Sequence, residues 1–159
     1  MGSCKPAPDT VISYSDFEGI TDTTNTAKWL TEDVAHSGSH SAMVVRDVDV
    51  AAMYQTTWGA IGTPKELRVR AWVYVAQPGT VSSIVVQVLR SGQGLAWQEL
   101  KFPEVIHRFN SWVPLRKTFI LPTDTMQASD ELRVFLWQNK QVHPTYMDDL
   151  KIESISPRE

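Results

Sequence analysis

Cysteine is almost missing from this chain: Cys4 is the single one in 159 residues, which excludes an internal disulfide framework and any cysteine-rich zinc site. No apolar run approaches the roughly 20 residues that a membrane-spanning helix requires, and no secretory leader stands at the start. Positive charge is not in excess either. With 15 Lys and Arg against 18 Asp and Glu, the formal net charge is -3, so no basic field is available for a phosphate backbone and general nucleic-acid binding is not expected. No window sustains a helical period, no segment repeats, and no nucleophile elbow, phosphate loop or His-Glu-x-x-His motif occurs. These absences leave a chain expected to be soluble, not membrane-spanning and monomeric, and long enough to bury one core unaided.

What is present is a succession of short runs rich in Val, Ile, Thr and aromatics, separated by Gly, Pro, Asn and Asp. Strands are expected near Tyr14 to Glu18, Trp29 to Thr31, Ser41 to Arg46, Ala51 to Trp58, Glu66 to Val75, Val81 to Arg90, Leu95 to Lys101, Ser111 to Leu121, Glu131 to Trp137 and Thr145 to Ser154. Turn signals such as Gln77-Pro78-Gly79, Ser91-Gly92-Gln93-Gly94 and Leu121-Pro122-Thr123-Asp124 fall between them, so an all-β antiparallel sandwich is predicted. The Pro-rich start reads as a flexible tail over 1–10, with the folded domain over 11–156.

Alternation orients the strands, because successive side chains point to opposite faces. In Leu67 to Val75 the odd positions are all aliphatic and belong to the core, leaving Arg68, Arg70, Trp72 and Tyr74 on the other side. By the same rule Val86, Val88, Val134, Leu136, Leu150 and Ile152 join Leu67, Val69, Ala71 and Val73 in the core. If the three clearest strands share a sheet, its outer face carries Arg70, Trp72, Tyr74, Gln87, Arg133 and Trp137. Such a face suits a sugar: pyranose C–H faces stack on indole and phenol, while hydroxyls need planar partners such as Arg and Gln. Trp97, after a Gly-rich loop, is placed at the rim, and Tyr54 and Trp58 are weaker candidates. Trp29 and Trp112 are read as structural. The alternative is that loops cover Trp72 and Trp137 as a second small core.

Three further pieces carry a family resemblance. Phe17-Glu18, the Ser-Gly-x-x-Ser turn at Ser37 to Ser41, and the strand Tyr146-Met147-Asp148-Asp149-Leu150 stand in the order found in bacterial jelly-roll carbohydrate-binding modules of the xylan- and glucan-binding, galactose-binding-like group, with Trp112 to Pro122 resembling that group's Trp-to-Leu-Pro strand. Adjacent Asp residues are unusual inside a strand. The resemblance implies a two-sheet jelly-roll β-sandwich, a polysaccharide or oligosaccharide as ligand, and a structural Ca²⁺. For that ion, Glu18 and Asp148 would give side-chain oxygens, and the backbone around His36 and Ser39 would give carbonyls. Asp148 shares parity with Leu150 and Ile152 and is expected to point inward, with Asp149 pointing away.

His36 and His40 flank a turn glycine rather than sharing a helix face, so zinc is not expected. The inferred outer positions hold no Asp or Glu, which argues against a glycoside-cleaving carboxylate pair, with Glu99 and Glu104 as the only candidates to approach from loops. A non-catalytic glycan-binding module is therefore expected. The alternatives are a structural or adhesion domain of a surface lipoprotein and, further off, a small glycan-active enzyme. Cys4-Lys5-Pro6-Ala7-Pro8 resembles the lipidated start of a bacterial lipoprotein and reads equally as a free thiol in a loose tail. An extracellular or cell-surface location follows from either the ligand or the anchor.

Overall fold

The structure is a computed structural model that describes residues 9–20, 28–140 and 142–156. Cys4, on which the anchor expectation rests, lies outside them. Strands β1 (Thr10–Ser15), β2 (Leu30–Thr31), β3 (Ser41–Val44), β4 (Val50–Thr57), β5 (Glu66–Val75), β6 (Ser82–Arg90), β7 (Gln93–Lys101), β8 (Trp112–Ile120), β9 (Glu131–Gln138) and β10 (Thr145–Ser154) form two antiparallel sheets. One sheet has six strands, in the order β2-β3-β10-β5-β8 with β1 also on β10, and the other has four, in the order β4-β9-β6-β7. This is the expected two-sheet sandwich.

Alternation builds the core as the sequence dictates. In β5 every odd residue from Leu67 to Val75 is buried and every even one is not. All ten residues assigned to the core, from Leu67 to Ile152, belong to one buried apolar cluster. Each such Val, Leu or Ile contributes about 1.5–3 kcal/mol by leaving water. The helical turn Phe102–Val105 adds Phe102, 1% exposed, to that cluster.

The first strand is an exception to the expected boundaries. It ends at Ser15 rather than running to Glu18, because Phe17 turns the chain at φ 61° and buries its own ring edge-on to Trp29, 6.0 Å between centroids. Register shifts also break parity, in β1, β7, β4 and β10. In β4 the register shifts between Ala51 and Tyr54, around Ala52 at φ 55°. In β10 it shifts between Asp148 and Lys151, around Asp149 at φ 51°.

The assumption that the aromatic strands share one sheet is overturned. β5 lies in the six-stranded sheet, whereas β6 and β9 lie in the four-stranded one. Arg70, Trp72 and Tyr74 therefore occupy the opposite side of the sandwich from Gln87, Arg133 and Trp137. Tyr54 packs against the core rather than facing outward, and Trp58 is 9% exposed with its indole N–H donated to the Pro64 carbonyl at 2.9 Å. Neither is available to a ligand.

Candidate functional site

The outer face of the four-stranded sheet is ordered by cross-strand register. Gln55 on β4 faces Arg133 on β9, Arg133 faces Gln87 on β6, and Gln87 faces Trp97 on β7, giving one row across the whole sheet. In the next rows Phe135 faces Val85 and Trp137 faces Ser83. Phe135 and Val85 are 3% and 0% exposed although they point away from the main core. They form an apolar floor, and the large rings beside them cover it.

Trp97 stands 45% exposed, edge-on to both Trp137, at 5.4 Å and 83°, and Phe135, at 5.7 Å and 73°. The two indoles thus make a corner. Hollows of about 280 Å³ and 460 Å³ flank Trp137, the first reaching Ser83, Glu99 and Lys101 and the second reaching Asp49 and Lys140. Arg133 is held by Glu131, through Nε at 3.0 Å and Nη2 at 3.3 Å. Glu131 also accepts from Gln55. Ser83 donates to Glu99 at 2.8 Å. Planar polar groups held in place beside exposed rings can bind hydroxyls while the rings stack on C–H faces.

The structure brings together four of the sugar-face candidates, Gln87, Trp97, Arg133 and Trp137. It adds Gln55, Glu131, Glu99 and Phe135. The expectation of no carboxylate on this face is thus corrected. The β4 bulge hides the parity of Gln55, whereas the alternation of β9 shows Phe135 as outward.

The aromatic part of the other outer face is closed. The ring of His36 lies flat on Trp72, 3.9 Å between centroids and 14° from parallel, and edge-on to Trp112 at 5.8 Å. Tyr74 is wedged edge-on between Trp112 and Tyr146, at 5.5 Å and 5.6 Å. Trp112 opens β8 and packs, as expected. Trp72 and Tyr74 are parts of an aromatic cluster clasped by the loop before β3, and Arg70 lies beside Glu153 at 3.1 Å.

That clasp explains the paired aspartates. Beside β10, β3 pairs with Thr145 to Met147 and β1 with Leu150 to Ser154, so at Asp148 and Asp149 no strand pairs on that side. Side-chain carboxylates receive the loop instead. Asp148 Oδ2 accepts the amides of His36 at 2.9 Å and Ser37 at 3.0 Å, and Oδ1 accepts the amide of Asp149 at 2.8 Å. Asp149 accepts from Ser37 Oγ at 2.5 Å and Tyr14 OH at 3.1 Å and contacts His36 Nδ1 at 2.7 Å. The bulge puts Met147, Leu150 and Ile152 in the core and Asp148 on the opposite side, correcting the inward assignment from parity. Asp149 does not point away to solvent. Burial pushes the Asp148 carboxyl up, while the amide donors of Ser37, Asp149 and His36 pull it back.

Glu18 is seated in the same way. Its Oε1 accepts the amides of Ser39 and His40, both at 2.7 Å, and Oε2 meets His40 Nδ1 at 2.7 Å. A Cβ at residue 38 would fall 2.4 Å from Oε1, and Gly38 has φ 61°, so only glycine suits this turn. The His40 contact, first, and the two amides hold the Glu18 carboxyl below its ordinary range; reciprocally Glu18 raises His40. A calcium site needs oxygen donors directed at one point. Here Glu18 and Asp148 accept N–H groups, and His36 and Ser39 present amide donors to them, so an ion at this place would share those oxygens with the loop amides. Among the described residues no group of three or more His, Cys, Asp or Glu is placed to hold a metal.

No protein-family model matches the sequence, and no curated protein matches it. Solved structures do match in shape. The C-terminal family 22 carbohydrate-binding module of Clostridium thermocellum Xyn10B superposes with a TM-score of 0.60 at 14% identity, covering 94% of this chain and 96% of that one. A family 22 xylan-binding domain gives 0.59 at 15%, covering 94% and 97%. The tandem family 22 domains of Paenibacillus barcinonensis Xyn10C give 0.58 at 14%, covering 99% of this chain and 50% of that one. At this identity the likeness is one of fold: the chain has the jelly-roll sandwich of family 22 carbohydrate-binding modules.

Proposed function

We propose that this protein is a non-catalytic carbohydrate-binding module that takes a xylan-type polysaccharide or oligosaccharide on the outer face of its four-stranded sheet. The observation that carries the reading is the row Gln55, Arg133, Gln87 and Trp97, completed by the perpendicular Trp97–Trp137 corner. Two stacking platforms at 83° suit a chain whose successive rings rotate about its axis, and the row supplies planar donors and acceptors between them. The xylan-binding names of the family 22 modules with this fold support the same class of ligand.

Glu99 and Glu131 do not make the face hydrolytic. Glu131 sits four residues along β9 from Phe135, whose partner Val85 faces Glu99 two strands away. At about 3.3 Å per residue and about 4.8 Å per strand this separates their backbones by roughly 16 Å. Carboxylate pairs that cleave glycosides stand about 5–9.5 Å apart. Both carboxylates are also engaged as acceptors. A polymeric glycan is met outside the cell, which supports an extracellular or surface setting.

The test is titration calorimetry with xylooligosaccharides. Replacing Trp137→Ala should weaken binding about tenfold or more, since one aromatic platform contributes on the order of 1–3 kcal/mol. Absence of binding by the parent protein to any β-linked polysaccharide on a broad array would sink the reading.

A further inference from the structure

The six-stranded sheet has a second hollow, of about 490 Å³, below the clasped aromatics. Its floor crosses three strands. Lys151 on β10 faces Arg70 on β5, and Arg70 faces Arg116 on β8, so three cations stand side by side at strand spacing. Like charges directly opposite each other destabilise a sheet, and a fold gains nothing from such a row by itself.

The nearby acids cancel it only in part, Glu153 acting electrostatically on both Arg70 and Lys151. Glu153 sits in the next row and is committed to Arg68, which donates to it through Nε and Nη2, both at 3.3 Å. Its contact with Arg70 Nε at 3.1 Å is an ion pair without hydrogen-bond alignment, and that buried N–H has no hydrogen-bond partner. Asp149, on the rim, is spent on Tyr14, His36 and Ser37. Neither the Arg116 nor the Lys151 side chain has a hydrogen bond or salt bridge among the described residues. Tyr14 borders the hollow 57% exposed, with its hydroxyl fixed by Asp149, so its ring is held at the mouth.

We infer that this hollow is a second saccharide subsite, specific for a uronate residue. The guanidinium groups of Arg70 and Arg116 take the carboxylate, Lys151 adds charge, and Tyr14 stacks on the sugar ring. Guanidinium is the planar, bidentate partner of a carboxylate, and a bound anion turns the repulsive row into a favourable one. The glycan class rests on the function proposed above, but the two sites lie on opposite sides of the sandwich and are separable.

The experiment titrates the full chain with a xylooligosaccharide bearing one glucuronate branch and with the same compound after reduction of its carboxyl group. The acid form should bind at two sites and the reduced form at one. The double variant Arg116→Ala, Lys151→Ala should weaken the second event at least tenfold, leave binding of the reduced form unchanged and not lower the melting temperature. Trp137→Ala should weaken the shared event about tenfold or more and keep the acid-specific one. If the reduced form fails to bind while the acid form still binds once, the four-stranded face is wrong and this subsite stands. Equal stoichiometry for the two forms, or an acid-specific event that survives the double variant, overturns it. Equal competition by dextran sulfate overturns the uronate assignment in favour of a general polyanion surface.

Discussion

The two outer faces of this sandwich use the same residue types and put them to different ends. Both carry indoles beside arginines. On the four-stranded sheet Trp97 and Trp137 stand perpendicular with solvent before them, whereas on the six-stranded sheet the ring of His36 lies flat on Trp72. The difference is not in the strands. It comes from the loop before β3, which is drawn across one sheet by carboxylates set where β10 lacks a neighbour. Residue type therefore marks where a ring can be used, and the adjacent loop decides whether it is.

The comparison is broken most forcefully at Asp148. Asp148→Ala leaves the His36 and Ser37 amides without an acceptor, at about 1–3 kcal/mol for each unsatisfied buried donor. Removal of the carboxylate also relieves its own burial, so a net loss of about 2–4 kcal/mol is expected in chemical denaturation. Xylooligosaccharide affinity should be unaffected, and a weakened affinity would mean that the clasp supports the open face. Next comes Trp72→Ala, the counterpart of Trp137→Ala with its effects exchanged. It should cost about 2 kcal/mol of stability, roughly half the price of a fully buried tryptophan, with unsubstituted xylooligosaccharide binding intact. A loss of that binding would show that Trp72 is a platform after all.

Acidity should sharpen the contrast more gently. His40 faces Glu18 and, at 3.0 Å from Nε2, Glu32. Its raised pKa means that its contribution is complete below its ordinary value of 6.5 and is lost as pH rises through the folded value. Glu18 is lowered, so its contribution is present above its ordinary 4.5 and is lost as pH falls through the folded value. Melting temperature should be highest between those two values, and His40→Gln should flatten the alkaline flank; an unchanged flank would remove His40 from the clasp. The smallest effect is expected from chelation. EDTA should leave the melting temperature unchanged if the loop amides alone occupy Glu18 and Asp148, and a fall in melting temperature would place calcium at this site.

Much of this architecture was legible before any coordinates. Strand β5 alternates over its whole length, so its register could not be mistaken, and the same held for β9. Sheet membership was not legible, since alternation tells which side of a strand faces the core but not which strand lies beside it. Alternation alone therefore groups Arg70, Trp72 and Tyr74 with residues that lie on the far side. Parity also failed wherever one extra residue was inserted, as at Ala52 and at Asp149, because a single bulge inverts every later assignment on the strand. The calcium expectation came from recognising Glu18, the turn at Gly38 and Asp148 as a set. They do converge, but on backbone donors. No sequence pattern distinguishes a carboxylate that awaits a cation from one that awaits an N–H.

The pairing of β1 with β10 has a mechanical consequence. Thr10, at the start of β1, lies opposite Ser154, at the end of β10, and Asp9 accepts the amide of Ser156 at 3.0 Å just beyond them. The polypeptide therefore enters and leaves the sandwich at one point. Tension transmitted through the two flanking segments, as when a tethered module is dragged along a polymer, falls on the first rung of an antiparallel ladder whose bonds lie across the strands. Rungs loaded in that direction part singly, like a zip, instead of sharing the load in shear. The fold would yield to pulling along this path at low force while the outer face of the four-stranded sheet carried none of it.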